Sequence, residues 1–100
     1  MLHREPTMLN VNSYFDDKVK SIAFQGQELA TTVGVMDIGE FTFGTSQFET
    51  MTVIDGELEV KLPGAENWQR FTNGEQFEVA ANTSFDVKVI RQTAYHCTYA

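Results

Sequence analysis

The feature that most constrains the fold is a repeated alternation of apolar and polar residues with a period of two. Leu58, Val60 and Leu62 alternate with charged residues, and the segments 85–89 and 95–99 repeat the pattern. Because successive side chains point to opposite faces of a β-strand, each run predicts a strand with one buried face. No segment shows a convincing helical period of 3.6. We therefore expect an all-β fold.

Turn signals separate these runs at short intervals. Asp-Gly and Asn-Gly pairs supply the positive φ angles that tight hairpins require. Many short strands joined by such turns indicate a sandwich or a barrel. No repeat or linker divides the chain, so we expect one domain over 8–100. The polar segment 1–7 is expected to be a disordered extension, and either Met1 or Met8 is a candidate start. The turn signals are Asp55-Gly56, Pro63-Gly64 and Asn73-Gly74.

Composition narrows the partners and the compartment. Seven Lys and Arg against fourteen Asp and Glu give a net charge of −7. An acidic surface repels phosphate backbones, so nucleic-acid polymers and anionic membranes are expected to be poor partners, whereas a small anion in a local basic pocket is not excluded. Cys97 is the only cysteine, which rules out an internal disulfide. With no signal-peptide pattern and no membrane-length apolar run, we expect a cytoplasmic protein.

A first motif, Glu49 to Gly56, has the spacing of the first signature motif of cupin barrels. In metal-bearing cupins this motif places two histidines and a glutamate on one strand, with a glycine seven residues after the glutamate. Glu49 and Gly56 keep that last spacing. The histidine positions fall near Phe43 and Thr45, which offer at most one hydroxyl.

A second motif begins at Gly74 and ends at Phe85, which stands where a cupin has its last metal-binding histidine. Asn82 replaces a glycine, and asparagine tolerates the left-handed conformation that the turn needs. A metal site needs three or four converging N, O or S donors. Since His3 and His96 are the only histidines, we expect no metal.

The chain as a whole resembles the pyrimidine/purine nucleoside phosphorylases, a family of small cupin-fold proteins. The resemblance extends from Met8 to Tyr99, and two departures from the family pattern lie at Ala81-Asn82 and Thr98. The residues that carry it are Asn12 to Phe15, Lys18 to Ile22, Val33 to Met36, Gly39 to Phe43, Thr45-Ser46, Glu49 to Gly56, Leu62-Pro63, Asn67 to Gln69, and Tyr95, Cys97 and Tyr99.

The resemblance implies a single cupin-like jelly-roll barrel and a broad-specificity activity. Such proteins convert purine and pyrimidine nucleosides and inorganic phosphate to the free base and a pentose 1-phosphate. Phosphate is then a co-substrate, and no cofactor is implied. A homodimer is expected because cupins commonly dimerise, with Trp68 as a candidate contact. The alternative is a non-catalytic cupin that only binds a nucleoside, nucleotide or sugar.

Three residues are candidates for polar contacts to the substrate. Glu49 is expected to point into the barrel, where it would bind ribose hydroxyls or stabilise developing positive charge; otherwise it is a buried structural glutamate. Thr45 is a candidate hydroxyl donor, although an ordinary strand threonine is the simpler interpretation. Tyr99 would donate a hydrogen bond from the same wall. Glu49 and Thr45 are the predicted catalytic residues.

Cations and aromatic rings complete the predicted site. Lys18 and Lys20, two residues apart, would clamp an anion from one strand face, or else protect an edge strand. Arg91 continues the face of Phe85 and would reach the barrel mouth, unless it is a surface arginine. Phe43 and Phe85 would stack the base, or else they are plain core. Cys97 is expected to be an inert buried thiol.

Overall fold

The structure is a computed structural model that describes residues 9–100. The expected extension over residues 1–7 lies outside the described residues. All the regular secondary structure of the described part is β, which confirms the predicted fold class. No helix there is long and apolar enough to cross a membrane. The strands are β1 (Asn10–Tyr14), β2 (Val19–Gln25), β3 (Ala30–Met36), β4 (Gly39–Gly44), β5 (Glu49–Lys61), β6 (Gln69–Thr72), β7 (Gln76–Val79) and β8 (Ser84–Tyr99).

The strands form one antiparallel sheet that bends into two layers. The long strands β5 and β8 pair with each other and run through both layers. Residues 49–53 of β5 and 93–99 of β8 lie in the first layer, with β1, β2, β3 and β7. The other halves of β5 and β8 lie in the second layer, with β4 and β6. The path ends at β1 and β6, so the predicted barrel is not closed by hydrogen bonds.

Asp55-Gly56 is not the hairpin turn that the sequence predicts. The pair lies inside β5, where the register against β8 shifts. Gly56 has a φ of 145°, and a Cβ built there would lie 2.2 Å from Oγ1 of Thr93. The extra residue forms a bulge at which the strand bends from one layer to the other. The expected series of short strands is therefore partly replaced by two long bent ones.

Side chains fix this bend by hydrogen bonds to its backbone. The fully buried Thr93 hydroxyl accepts a hydrogen bond from the Glu57 amide at 3.0 Å and donates one to the Arg91 carbonyl at 2.7 Å. The Asn73 side chain accepts one from the Gly56 amide at 2.7 Å. Buried backbone groups that leave the ladder at a bulge must find such partners, so these residues stabilise the bend.

The other predicted turns and alternations are confirmed. Gly64, Gly74 and Asn82 have positive φ angles of 75°, 85° and 62°. The inward residues of the predicted strands are buried, as the alternation requires, except that Leu62 and Tyr99 are partly buried against the core. One hydrophobic core joins the two layers, and the rings of Phe77 and Phe85 meet across it with centroids 5.9 Å apart.

Candidate functional site

A cavity of about 330 Å³ opens between the two layers. This volume is at the small end of the ~300–1,000 Å³ range of ligand pockets. Its two sides differ in chemistry, because the first layer contributes polar groups and the second layer and a turn contribute rings. The polar wall consists of Ser21, Thr32, Glu49, Tyr95, Cys97 and Tyr99, and the aromatic wall of Phe15, Phe43 and Phe85.

Strand periodicity explains how the polar wall is assembled. Tyr95, Cys97 and Tyr99 are two residues apart on β8, so all three side chains project from one face. Glu49 on β5 is the cross-strand neighbour of Tyr99, and Thr32 on β3 is the neighbour of Cys97. The bend at Gly56 then turns this face towards the second layer.

Glu49 is the only acidic side chain among the residues that line the cavity. Burial raises the pKa of its carboxyl group, and a hydrogen bond from Cys97 partly opposes the shift. The Cys97 sulfur donates this bond to Oε1 at 3.6 Å. Burial and the nearby Glu49 charge raise the pKa of the Cys97 thiol to about 12. Cys97 is thus a protonated, buried thiol at neutral pH, which agrees with the inert role predicted for it.

Two tyrosine hydroxyls flank Glu49 as neutral hydrogen-bonding groups. The Tyr99 hydroxyl is 3.0 Å from Oγ1 of Thr32. Burial raises the pKa of Tyr95 to about 12, against a hydrogen bond to Ser21 that lowers it, and burial also raises the pKa of Tyr99. Both phenols therefore stay protonated at neutral pH and are able to donate hydrogen bonds.

Tyr95 was not identified as a site residue from sequence. Its position depends on Gly34 of β3, where a Cβ would lie 2.7 Å from the Tyr95 hydroxyl and 2.6 Å from the Lys20 carbonyl. Any larger residue at 34 would displace the ring from the polar wall. The alternation of Tyr95, Cys97 and Tyr99 was a usable signal, because it placed Tyr95 on the same face as Tyr99.

The aromatic wall is a continuous cluster of rings. Phe43 and Phe85 are stacked, with centroids 5.6 Å apart and an interplanar angle of 26°. Phe15 meets the edge of Phe43 at 5.5 Å. The structure thus brings together Phe43 and Phe85, the two rings that the sequence predicts for the site. Phe15 lies in a run of three residues with positive φ and was missed, since nothing in its local sequence predicts that conformation.

Thr45 lies outside the set of residues that line the cavity. Its hydroxyl donates a hydrogen bond to the Ala80 carbonyl at 2.8 Å and accepts one from the Thr83 amide at 3.0 Å. The Thr45 backbone also pairs with Thr83 and Asn82. The side chain therefore ties the loop after β4 to the loop before β8, and its donor is already engaged.

The three predicted cations are likewise not in the cavity; no Lys or Arg among residues 9–100 lines it. Lys20 is exposed on the outer face of β2, opposite the inward Ser21. The Arg91 guanidinium donates to the Gly56 carbonyl at 3.2 Å, at the bend. The sequence predicts that Arg91 points inward like Phe85, and this is wrong. Three successive residues, 90–92, are exposed where the strand bends, so the alternation of inward and outward side chains is interrupted before Arg91.

Lys18 is exposed and follows the lining residue Phe15 by three positions. It is in the turn before β2, not on the strand with Lys20, and its amide donates to the Phe15 carbonyl at 3.1 Å. Within residues 9–100, no three His, Cys, Asp or Glu side chains come together as a metal-holding group. His96 faces away from the polar wall, as its parity predicts.

Comparison with known families gives a match over nearly the whole chain. The family model described as pyrimidine/purine nucleoside phosphorylase matches residues 9–99. A pyrimidine/purine nucleoside phosphorylase from Magnetococcus marinus is 62% identical over 92 residues, which cover 92% of this chain and 99% of the relative. One from Psychromonas ingrahamii is 64% identical over 88 residues, covering 88% of this chain and 94% of the relative.

Solved structures support the fold. A Vibrio parahaemolyticus protein of unknown function aligns with a TM-score of 0.90 and 44% identity, covering 94% of this chain and 100% of that one. An RmlC-like cupin from Shewanella frigidimarina aligns with a TM-score of 0.73 and 17% identity, covering 99% of this chain and 93% of that one. The second likeness concerns the fold alone, and it confirms the predicted cupin-like architecture.

Proposed function

The chain belongs to the pyrimidine/purine nucleoside phosphorylase family, and we propose that it carries out phosphorolysis of nucleosides in the cavity between its two layers. Purine or pyrimidine nucleoside and inorganic phosphate are converted to the free base and a pentose 1-phosphate. The observation that supports this cavity as the site of the reaction is that an aromatic wall faces a polar wall with one carboxyl group.

The two walls suit the two halves of a nucleoside. The base lies against the stacked rings of Phe43 and Phe85, and the pentose hydroxyls face Glu49, Tyr95 and Tyr99. Because rings stack on the π face of any base, such a wall tolerates both purines and pyrimidines. Few base-specific donors are needed, so broad specificity follows from this orientation.

The reaction breaks the bond from the sugar C1′ to the base nitrogen and forms a bond from C1′ to a phosphate oxygen. The electron pair of the broken bond leaves with the base, C1′ becomes cationic in the transition state, and the proton that the attacking phosphate loses is taken up by the leaving base nitrogen. The Glu49 carboxylate, placed beside the sugar, stabilises this charge. A tyrosine hydroxyl that remains protonated at neutral pH, such as Tyr95, is able to hydrogen-bond the sugar or the departing base.

Phosphate is proposed to bind at the rim of the cavity beside Lys18. Of the three predicted cations, Lys18 is the one linked by a short turn to a ring of the aromatic wall, Phe15. Lys20 is on the outside of the sheet and Arg91 is at the bend, so we assign neither a contact in the cavity. Thr45 is proposed to shape the rim through its loop hydrogen bonds.

Replacing Lys18 with Gln is expected to raise the KM for phosphate about tenfold, because a hydrogen bond to a charged group contributes about 1.5 kcal/mol. The KM for the nucleoside should change little. Lys20→Gln removes the same charge from the outer face and serves as the matched control. Steady-state kinetics with phosphate as the varied substrate measures both. Equal effects of the two substitutions would contradict a specific role for Lys18.

The remaining proposals concern the working form of the protein. We propose that it acts without a metal or other cofactor, that it is a homodimer, and that it is cytoplasmic. The acidic net charge of −7 supports the absence of nucleic-acid and membrane partners. The exposed apolar residues of the first layer support the dimer.

Purified protein incubated with uridine or inosine tests the activity. We expect free base to appear only when phosphate is present, at the same rate with and without a metal chelator. The alternative, a cupin that only binds nucleosides, predicts saturable binding without release of base. Release that is independent of phosphate would indicate hydrolysis and would contradict the proposal.

A further inference from the structure

Phe15 differs from the other two rings of the aromatic wall in exposure and in orientation. Phe85 is 2% exposed and belongs to the core, whereas Phe15 is 43% exposed. Phe85 stacks on Phe43 at an interplanar angle of 26°, but the Phe15 ring stands at 86° to the Phe43 ring. The aromatic wall therefore has a flat part, made by two stacked rings, and a side ring, Phe15, that is nearly perpendicular to it at the exposed end.

The side ring is carried by a turn with an unusual backbone. Phe15, Asp16 and Asp17 have successive φ angles of 55°, 55° and 69°. A Cβ disfavours this left-handed conformation, and aspartate accepts it better than a bulky residue does. Phe15 is therefore a backbone outlier. Outliers that the surrounding structure holds in place are concentrated at active sites and ligand clamps, so this conformation suggests that the position of the ring matters for a ligand.

Contacts on both sides of the turn hold the side ring in place. The Asp17 carboxylate accepts a hydrogen bond from the Ser13 hydroxyl, and the Lys18 amide donates one to the Phe15 carbonyl at 3.1 Å. The Phe15 ring itself packs on the buried ring of Phe41, with centroids 4.9 Å apart. These contacts offset the unfavourable backbone, and the ring keeps a defined position at the edge of the cavity, which it lines.

We propose that Phe15 determines the size of the base that the site prefers, an inference that rests on the proposed phosphorolysis. A base stacked on the flat part presents its edge, and not its face, to the perpendicular side ring. Contact of an edge with a perpendicular ring is a favourable aromatic geometry. Because a purine has two fused rings and a pyrimidine has one, Phe15 contacts the edge of a pyrimidine and restricts the room for a purine.

Size is the property of the base that the aromatic wall is able to distinguish. Its side chains have no hydrogen-bond donor or acceptor, so the wall does not read the polar edges of a base. Stacking on the flat part tolerates every base. The bulk of the side ring then separates purines from pyrimidines. A small change of volume in an apolar pocket alters kcat/KM about 10–200-fold, so the preference is moderate and compatible with broad specificity.

Phe15→Ala tests the inference through the ratio of kcat/KM for inosine to kcat/KM for uridine. We expect this ratio to rise about tenfold, because the purine gains room and the pyrimidine loses its edge contact. Phe15→Trp adds bulk and should lower the ratio. A purely structural role for Phe15 would reduce both kcat/KM values equally and leave the ratio unchanged. Phe24→Ala is the matched control and should keep the wild-type ratio, because Phe24 is 39% exposed but does not line the cavity.

Phe15→Gly decides the matter if Phe15→Ala does not fold, because glycine adopts a positive φ without strain. It removes the same ring, so the ratio should rise as for Phe15→Ala. An unchanged ratio in Phe15→Gly and Phe15→Trp would overturn the inference.

Binding separates a failure of this inference from a failure of the proposed activity. Equilibrium dialysis of uridine and inosine, without phosphate, gives two dissociation constants and needs no catalysis. A wild type that binds nucleosides but releases no base with phosphate would contradict the phosphorylase activity alone. The ratio of the dissociation constants for uridine and inosine would then decide the role of Phe15, and we expect it to rise in Phe15→Gly. An unchanged ratio, or a wild type that binds neither nucleoside, would overturn the inference.

Discussion

Glu49→Gln is expected to lower kcat/KM for nucleoside phosphorolysis by about 10²–10³, the size of effect seen when a preorganised electrostatic group is removed from an active site. Gln has nearly the shape of Glu and retains hydrogen-bonding capacity, so the loss of activity measures the contribution of the negative charge next to C1′. Steady-state kinetics at saturating phosphate measures it. Glu78→Gln, on the exposed side of β7, is the matched control and should retain wild-type activity. Full activity in Glu49→Gln would remove this carboxylate from the mechanism.

The raised pKa of Glu49 sets the direction of two pH effects. If catalysis needs the Glu49 carboxylate, kcat/KM is highest above the folded-state pKa of Glu49 and falls as the pH drops through that pKa. Because this pKa is raised, we expect the fall in kcat/KM at a higher pH than an ordinary glutamate would give. The stability of the fold has the opposite pH dependence. The folded state holds this proton more tightly than the unfolded state, so the free energy of unfolding falls as pH rises from the unfolded to the folded pKa. Glu49→Gln removes that cost and should unfold at an equal or higher urea concentration at pH 7.

The largest stability effect is expected for Gly56→Ala. A Cβ at residue 56 would lie 2.2 Å from Oγ1 and 2.6 Å from Cα of Thr93, and the φ of 145° disfavours any L side chain. Overpacking of a rigid site costs about 1–3 kcal/mol, and the sparsely populated backbone conformation adds about 1–3 kcal/mol. We therefore expect a loss of about 3 kcal/mol or more in the free energy of unfolding, measured by urea denaturation.

Gly64→Ala separates the two causes. Gly64 has a φ of 75°, but a Cβ there would meet nothing within 4 Å. Its substitution should therefore cost only the conformational part, about 1 kcal/mol. If Gly56→Ala were no more destabilising than Gly64→Ala, the close approach of β5 to Thr93 would not be what holds the bend. Since the bend turns the polar wall towards the aromatic wall, Gly56→Ala should also reduce nucleoside binding.

Local sequence was sufficient for the strands but not for their bends. Alternation at Leu58, Val60, Val87 and Val89 predicts buried faces because it depends only on the geometry of each strand. The sequence predicts a hairpin at Asp55-Gly56, because the same dipeptide suits both a tight turn and a bulge. The difference is decided by Thr93, a distant residue whose side chain bonds the backbone of both β5 and β8 at the bend.

The contrast between local strand geometry and bends fixed by distant residues also explains which site residues the sequence predicts correctly. Glu49, Phe43, Phe85 and Tyr99 were predicted from motif spacing and strand parity, and all four line the cavity. Thr45 and the three cations were not placed there, because loop hydrogen bonds and the bend determine where they lie. For the four lining residues, the roles in binding and catalysis stay predictions, although their positions are clear.

The measurement that tests the central claim most directly is a crystal structure of the Glu49→Gln variant, slowed in turnover, with inosine and phosphate. We predict a nucleoside between the two layers, with its base stacked on the Phe43 and Phe85 rings and its pentose against residue 49 and the Tyr95 and Tyr99 hydroxyls. A nucleoside bound elsewhere on the chain, with the cavity closed by its own side chains, would contradict the account.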